Sequence, residues 1–168
     1  MTKGIYLLLG SNLGDKRANL ISAQEKINEI IGRVITCSNI YHSEAWGNTH
    51  QPSFLNQVIL IKSYKTPNEL LVLLQKIENE MGRIRIEKWS ERLIDIDLLY
   101  FSDLIIDQKE LKVPHPEIAN RRFTLIPLVD LAPNLVHPIH QKTNLELLGI
   151  CKDSLKVWEL KGSETDAI

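Results

Sequence analysis

The order of the elements that the sequence predicts, β-α-β-β-α-β, is that of an α+β, ferredoxin-like domain. Such a domain carries helices against one face of an antiparallel sheet, here with additions at the C-terminus. Short apolar runs bounded by Gly or Pro predict the strands, and apolar residues at helical spacing predict the helices. The predicted strands cover residues 4–9, 34–42, 54–62, 94–101 and 156–160, and the predicted helices cover residues 15–31, 66–81 and 120–131.

The first strand leads into the first helix through Gly10-Ser-Asn-Leu-Gly14-Asp-Lys16. This segment lacks the spacing of a phosphate-binding loop, so a turn from strand to helix is the better interpretation. The helix that follows carries an apolar stripe formed by Leu20, Ala23, Ile27 and Ile30.

The second helix is the best-marked element of the chain. Thr66 and Glu69 form a capping box, and Pro67 takes the first helical position. Gly82 closes the helix, and an arginine-rich loop, residues 83–92, leads into the strand 94–101.

Composition restricts the class of protein. A chain of 168 residues with 43% hydrophobic content can form one core, so we expect a single domain over residues 1–161 and a flexible tail at 162–168. The net charge of −1 argues against nucleic-acid binding, and no apolar run approaches the length that crosses a membrane. Cys37 and Cys151 lie far apart, which is typical of a reduced, cytoplasmic protein; we expect a monomer.

The pair Asp95 and Asp97 lies within a predicted strand. Strand side chains alternate, so both carboxylates should face one side, with Cα atoms roughly 6–7 Å apart. Two like charges at that spacing repel unless a cation lies between them, and Mg²⁺ prefers carboxylates, water and phosphate oxygens. The alternative is an exposed edge strand with two solvated acids.

Cationic residues cluster just before this pair, at Arg83, Arg85, Lys88 and Arg92, with Arg121 and Arg122 further on. Guanidinium groups beside metal-binding carboxylates are typical of phosphoryl transfer, because they grip phosphate oxygens and neutralise charge as the bond breaks. The alternative is a solvated basic loop that offsets nearby acids.

Four further residues have weaker signals. His115 lies between two prolines and could be a rigid ligand contact or an ordinary loop histidine. Trp89 could cover a planar ligand or pack on the core. Phe54 and Asn56 share one face of a strand and could bind a flat heterocycle, but core packing with a satisfied amide is the default interpretation.

The motifs together resemble the 6-hydroxymethyl-7,8-dihydropterin pyrophosphokinase (HPPK) family. The resemblance runs from about residue 4 to about residue 140, and its motifs occur in family order. They are Leu9-Gly-Ser-Asn-Leu13, Tyr41, Gln51-Pro52, Phe54-Leu-Asn56, Glu78, Gly82-Arg-Ile-Arg85, Lys88-Trp89-Ser-Glu-Arg92-Leu-Ile-Asp95-Ile-Asp97, Val113-Pro-His115 and Asn120-Arg121-Arg-Phe123.

The resemblance implies a kinase of folate biosynthesis that transfers pyrophosphate from ATP to the hydroxymethyl group of a dihydropterin, with small molecules as its partners. It implies that Asp95 and Asp97 bind two Mg²⁺ ions and that Arg83 and Arg92 are catalytic. The implied ATP-binding residues are Glu78, Arg85, Trp89, Leu98, His115 and Arg121. The implied pterin-binding residues are Ser43, Glu44, Trp46, Phe54, Asn56 and Phe123.

The chain departs from the family pattern at three places. Ser90-Glu91 stands where the family usually has Gly-Pro, and Ser43-Glu44 stands where it often has Thr-Pro. Pro116 replaces an aromatic residue after His115, so a ring contact with the nucleotide is lost there.

Two other functions fit parts of the pattern. A nucleotidyltransferase also presents paired aspartates on a strand to two metals, but it releases pyrophosphate rather than AMP. A ferredoxin-like regulatory binding module would need no metal, and its Asp95 and Asp97 would be incidental charges.

Overall fold

The structure is a computed structural model, and it describes residues 4–45, 50–82 and 93–162. The strands in these ranges are β1 (Ile5–Ser11), β2 (Arg33–Cys37), β3 (Tyr41–Ser43), β4 (Phe54–Lys62), β5 (Asp95–Phe101), β6 (Ile106–Asp107), β7 (Lys112–Val113) and β8 (Val157–Glu159). The helices are α1 (Lys16–Ile30), α2 (Pro67–Glu80), α3 (Arg122–Leu131) and α4 (Asn144–Ile150), with a 3₁₀ turn at Ile118–Asn120.

The main sheet has the ferredoxin-like order that the sequence predicts. Its strands lie in the order β5-β1-β4-β3-β8. The strand β2 also pairs with β4, along the part of β4 that follows its pairing with β3. Every pairing in this sheet is antiparallel. The short strands β6 and β7 form a separate ribbon.

The single strand predicted over residues 34–42 is wrong, because the chain forms two strands there. Side chains interrupt the ladder at Ser38, whose hydroxyl accepts from the backbone N–H of Val58 at 3.0 Å. The neighbouring backbone N–H of Asn39 turns away to the Asp130 carboxylate of α3 at 2.7 Å. The alternation of side chains along the sequence gives no sign of this interruption, because the interruption depends on partners that are distant in the sequence.

Two apolar clusters lie on opposite faces of the sheet. Helices α1 and α2 cover one face through Leu20, Ile27, Leu70 and Ile77, which pack on Leu7 and its neighbours. The C-terminal helices α3 and α4 cover part of the other face, so helices lie on both faces, where the sequence predicted them on one. Within the described ranges no helix is long and apolar enough to span a membrane.

The residues of β5 reach both clusters because the strand is irregular. Its register against β1 shifts between the pairs Leu7↔Leu98 and Tyr6↔Tyr100, which leaves Leu99 as an extra residue. Leu98 therefore packs towards α1 and α2, whereas Leu99 and Tyr100 both pack towards α3 and α4.

Helix α2 begins as predicted. Thr66 accepts from the backbone N–H of Glu69, and Glu69 accepts from that of Thr66, which completes the capping box. Gly82 follows the helix with a φ of +85°, a conformation that glycine adopts without steric cost. The arginine-rich segment begins at residue 83, directly after Gly82.

A buried polar cluster fixes the C-terminal region beneath α3. The Tyr100 hydroxyl donates to Asn144 at 2.7 Å, and the His137 ring meets Tyr100 edge-on at 5.6 Å. The Nδ1 of His137 accepts from the backbone N–H groups of Ile139 and His140. Burial, and to a lesser degree His140, lowers the pKa of His137 to about 4.

We expect folding stability to fall as pH falls from about 6.5 towards 4, because the unfolded chain protonates His137 first. Protonation of the folded chain would also turn an Nδ1 acceptor into a donor. Urea unfolding across this range should show a smaller pH slope in His137→Gln than in the parent chain. An imidazole NMR titration that places His137 near 6.5 would contradict the prediction.

Candidate active site

Gly10 lies in β1 between two strands that carry the predicted site. It pairs with Asp95 of β5 on one side and with Asn56 of β4 on the other. Residues directly opposite in a ladder share a face, and three neighbouring strands span about 10 Å. A Cβ at Gly10 would lie 3.6 Å from both Asn56 Oδ1 and Phe54 Cδ1, so glycine leaves this central position without a side chain.

The predicted orientation of the aspartates is confirmed. Asp95 and Asp97 are half-buried and pair with Gly10 and Leu8, on the face that α3 and α4 partly cover. Ile94 and Ile96 are buried towards α1 and α2. Because burial on one face fixes the strand orientation, both carboxylates point into the same space above the sheet.

The pair suits Mg²⁺ by its chemistry. Both groups supply carboxylate oxygens, and Mg²⁺ is usually held by one or two carboxylates while water and phosphate oxygens complete its shell. No group of three or more His, Cys, Asp or Glu side chains gathers into a metal site within residues 4–45, 50–82 and 93–162.

Glu78 and Leu98 lie on the opposite face from the aspartates. The buried Glu78 of α2 accepts from the backbone N–H of Ile96 at 3.3 Å, which holds β5 at the residue between the two aspartates. Leu98 is buried in the cluster formed with α1 and α2. Their ATP-binding roles remain predictions, and the contact that Glu78 makes is one that positions the strand.

His115 lies near Asp97 at the end of β7. Its backbone N–H donates to Leu99 at 2.9 Å, and its Nδ1 accepts from the backbone N–H of Glu117 at 3.1 Å. Burial is the main cause that lowers the pKa of His115; Asp97 raises it and Arg121 lowers it. Asp97 and Arg121 therefore both lie within electrostatic reach of the His115 ring.

Arg121 and Phe123 lie at the start of α3. The Arg121 guanidinium carbon is 5.6 Å from the centre of the Phe123 ring, and the Arg121 Nε is 3.9 Å from Glu117. Phe123 is partly buried against the cluster formed with α3 and α4. A cation over an aromatic face restricts the motion of both side chains. Arg121 and Phe123, which are both predicted to contact ligands, therefore limit each other's orientation.

Asn56 is buried, and strand β3 holds its amide. Its Nδ2 donates to the Ser43 hydroxyl at 2.7 Å and to the Tyr41 carbonyl at 3.3 Å. Both amide hydrogens are therefore used within the protein, as expected for a satisfied core amide. The Oδ1 instead faces the space above Gly10 and can accept a hydrogen bond.

The remaining predicted residues divide into two groups. Ser43 is buried and its hydroxyl accepts from the Asn56 amide, whereas Glu44 is exposed and its backbone N–H donates to the Lys156 carbonyl. Trp46, Arg83, Arg85, Trp89 and Arg92 lie outside the described residues.

Sequence reasoning missed three residues that shape this site. Gly10 could have been found, because glycine inside a strand often marks a close approach. Asn12 and Lys16 are buried and hold the segment that leads into Phe54, but their partners are distant in the sequence.

The fold and the site define a class: a ferredoxin-like α+β protein with paired carboxylates near an aromatic ring and a buried amide. The family model for 7,8-dihydro-6-hydroxymethylpterin-pyrophosphokinase (HPPK) matches residues 6–133, and the chain belongs to this family.

Two curated relatives, both named 2-amino-4-hydroxy-6-hydroxymethyldihydropteridine pyrophosphokinase, agree with this assignment. That of Aquifex aeolicus is 44% identical over 138 residues, which cover 82% of this chain and 86% of the relative. That of Haemophilus influenzae is 38% identical over 137 residues, which cover 81% and 86%.

A solved structure supports the fold. The HPPK-DHPS of Plasmodium falciparum, described as wild type with pteroate, superimposes with a TM-score of 0.70 at 15% identity. The match covers 89% of this chain but only 44% of the Plasmodium chain, so this chain spans less than half of that protein.

Asn56→Ala should reduce the free energy of unfolding by roughly 1–3 kcal/mol, because it removes one buried and one partly buried hydrogen bond between β4 and β3. Urea denaturation measures the loss. The matched control is Asn68→Ala, at an exposed position of α2, which should change stability by less than about 0.5 kcal/mol. Equal stability of the two variants would show that the amide does not hold the strands together.

Proposed function

We propose that the chain transfers pyrophosphate from ATP to the hydroxymethyl group of 6-hydroxymethyl-7,8-dihydropterin at the end of the sheet around Gly10. Membership of the family makes it an enzyme of folate biosynthesis, a kinase that binds ATP. One observation supports the location: Gly10 separates Asp95 from Asn56 on a shared face. A site for phosphate and metal therefore adjoins a pocket for a heterocycle.

On the phosphate side, Asp95 and Asp97 would hold Mg²⁺, and we propose two ions. When bound, Mg²⁺ neutralises phosphate charge and aligns the reacting groups. Asp97 and Arg121 both act electrostatically on His115, and His115 and Arg121 would contact phosphate oxygens. Because these groups are fixed before substrate binds, they stabilise developing charge without reorganising.

On the pterin side, the Oδ1 of Asn56 would accept a hydrogen bond from the polar edge of the ring. Phe54 and Phe123 would contact its two faces, with Ser43 orienting the amide and Glu44 and Trp46 completing the pocket. The gap at Gly10 would let the hydroxymethyl group approach the phosphates. Its oxygen would bond to the β-phosphorus as the bond from that phosphorus to the AMP oxygen breaks, with release of the hydroxyl proton.

The other proposed roles come from the family resemblance. Arg83 and Arg92 would stabilise the charge that develops on the transferred group, while Arg85, Trp89, Glu78 and Leu98 would serve the nucleotide. We also propose a single domain over residues 1–161 with a tail at 162–168, present as a cytoplasmic monomer.

Product analysis tests the reaction directly. The chain is incubated with ATP, Mg²⁺ and 6-hydroxymethyl-7,8-dihydropterin, and the nucleotides are separated. Formation of AMP together with the pterin pyrophosphate is expected. Release of inorganic pyrophosphate would instead indicate a nucleotidyltransferase, and binding without turnover would indicate a regulatory module.

Asp95→Asn and Asp97→Asn should each reduce turnover by at least about a hundredfold, the scale expected for loss of a charged group that acts in the transition state. The fold should persist, because removing one of two neighbouring like charges relieves repulsion. The measurement is AMP formation at saturating Mg²⁺, with thermal unfolding to verify the fold.

Glu146→Gln is the matched control for these variants. It also exchanges a carboxylate for an amide, and glutamine can retain the capping box that Glu146 forms with Thr143. We expect parental turnover from this variant. Near-parental turnover from both aspartate variants would refute the metal assignment.

Phe123→Ala should weaken dihydropterin binding about tenfold or more, because base-sized rings gain roughly 1–3 kcal/mol from stacking on an aromatic side chain. Separate calorimetric titrations with dihydropterin and with a non-hydrolysable Mg-ATP analogue measure the two affinities. Phe123→Tyr retains the ring and should bind dihydropterin nearly as the parent does. Equal losses for both ligands in Phe123→Ala would mean that the ring supports the start of α3 rather than the pterin.

A further inference from the structure

Lys16 is buried at the first position of α1, where a lysine is unfavourable for two reasons. Only 7% of the residue is exposed, and burying a lysine costs hydration of its charged group. It also lies at the positive end of the helix dipole. These costs draw attention to the partner that the ammonium group contacts.

That partner is a backbone carbonyl in the segment before β4. Lys16 Nζ donates to the Ser53 carbonyl at 2.9 Å. Ser53 is the residue directly before Phe54, so the bond fixes the peptide group that carries the Phe54 backbone nitrogen. Phe54 in turn lies beside Gly10, on the face that carries Asn56.

Asn12 fixes the same segment from the turn that precedes α1. It is 1% exposed, and its Nδ2 donates to Gln51 Oε1 at 3.0 Å and to the Pro52 carbonyl at 3.5 Å. Residues 51–53 are thus bonded at three successive positions to the β1–α1 turn and the first residue of α1. The turn is itself held by Asn19, which donates to Ser11 Oγ and to the Leu13 carbonyl.

Residues 51–53 lie outside the ladder of the sheet, so β-sheet pairing does not fix them. If a loop becomes ordered only when ligand binds, the lost conformational entropy weakens the affinity. A loop that is already held in place does not carry this cost. The hydrogen bonds from Asn12 and Lys16 therefore hold residues 51–53 in place before the substrate binds.

We infer that Lys16 is a positioning residue for the pterin pocket: by holding the Ser53 carbonyl, with Asn12 beside it, it fixes Phe54 in the orientation that contacts the dihydropterin. The inference rests on the proposed function, since it assigns Phe54 to the pterin. Lys16 itself contacts no reacting group. Its effect is on the affinity for the heterocycle and leaves the phosphate side unchanged.

Lys16→Met tests this inference because it keeps the aliphatic length and removes the donor. We expect the Kd and KM for dihydropterin to rise about tenfold, which corresponds to ~1.4 kcal/mol. The kcat and the Kd for the Mg-ATP analogue should stay within about twofold, a ratio that corresponds to ~0.4 kcal/mol. Amide hydrogen exchange at residues 51 and 53–55 should become faster, and Lys16→Arg should restore much of the affinity.

The control is Lys26→Met on the same helix, where the lysine is partly exposed and 3.6 Å from Glu80. This variant should match the parent in every measurement. If Lys16→Met does not fold, Asn12→Ala breaks the neighbouring contacts to the same segment and is judged by the same measurements.

The outcomes separate this inference from the proposed function. If the parent chain forms no AMP from ATP and dihydropterin, the proposed function fails. If the parent is active but a folded Lys16→Met variant binds dihydropterin as the parent does, the positioning role alone is refuted. Equal losses for dihydropterin and the Mg-ATP analogue would also refute it, because they would indicate a general effect on the fold.

Discussion

The register of β1 between β4 and β5 is the constraint on which the site depends. It places Gly10 opposite both Asp95 and Asn56, so that chemistry from two strands meets over a position with no side chain. A slip of one residue would turn the aspartates into the apolar cluster under α1 and α2. Burial of Ile94, Ile96, Leu7 and Leu9 in that cluster opposes the slip, so the core fixes the geometry of the site.

The two faces of the sheet therefore differ in how fully they are covered. The face under α1 and α2 is closed by apolar side chains, and Glu78 reaches through it to hold the backbone of β5 between the aspartates. The other face is only partly covered, by α3 and α4, which pack on Val58, Leu99 and Tyr100. We propose that ligands bind at the end of the sheet that carries Asp95 and Asn56, with Arg121 and Phe123 contributing from the start of α3.

Hydrogen bonds within the protein orient the residues that are proposed to bind ligands. Ser43 and the Tyr41 carbonyl hold the Asn56 amide, and Lys16 holds the peptide before Phe54. The backbone N–H of Glu117 binds the His115 ring. A site arranged in this way loses less entropy when substrate binds, and small changes in the supporting residues should affect affinity more than chemistry.

Local patterns and motifs were enough to predict the β-α-β-β-α-β order of the core, the shared face of Asp95 and Asp97, the capping box of α2 and the family. All of these depend on local spacing or on motifs in order, which the chain carries without reference to its partners. The break at Ser38, the placing of α3 and α4 on the second face, and the pairing of Gly10 with both Asp95 and Asn56 became visible only in the folded chain. The same holds for the hydrogen bond from Lys16 to Ser53, because that contact joins residues 37 positions apart. Such pairings follow from sheet register and packing, and no local pattern specifies them.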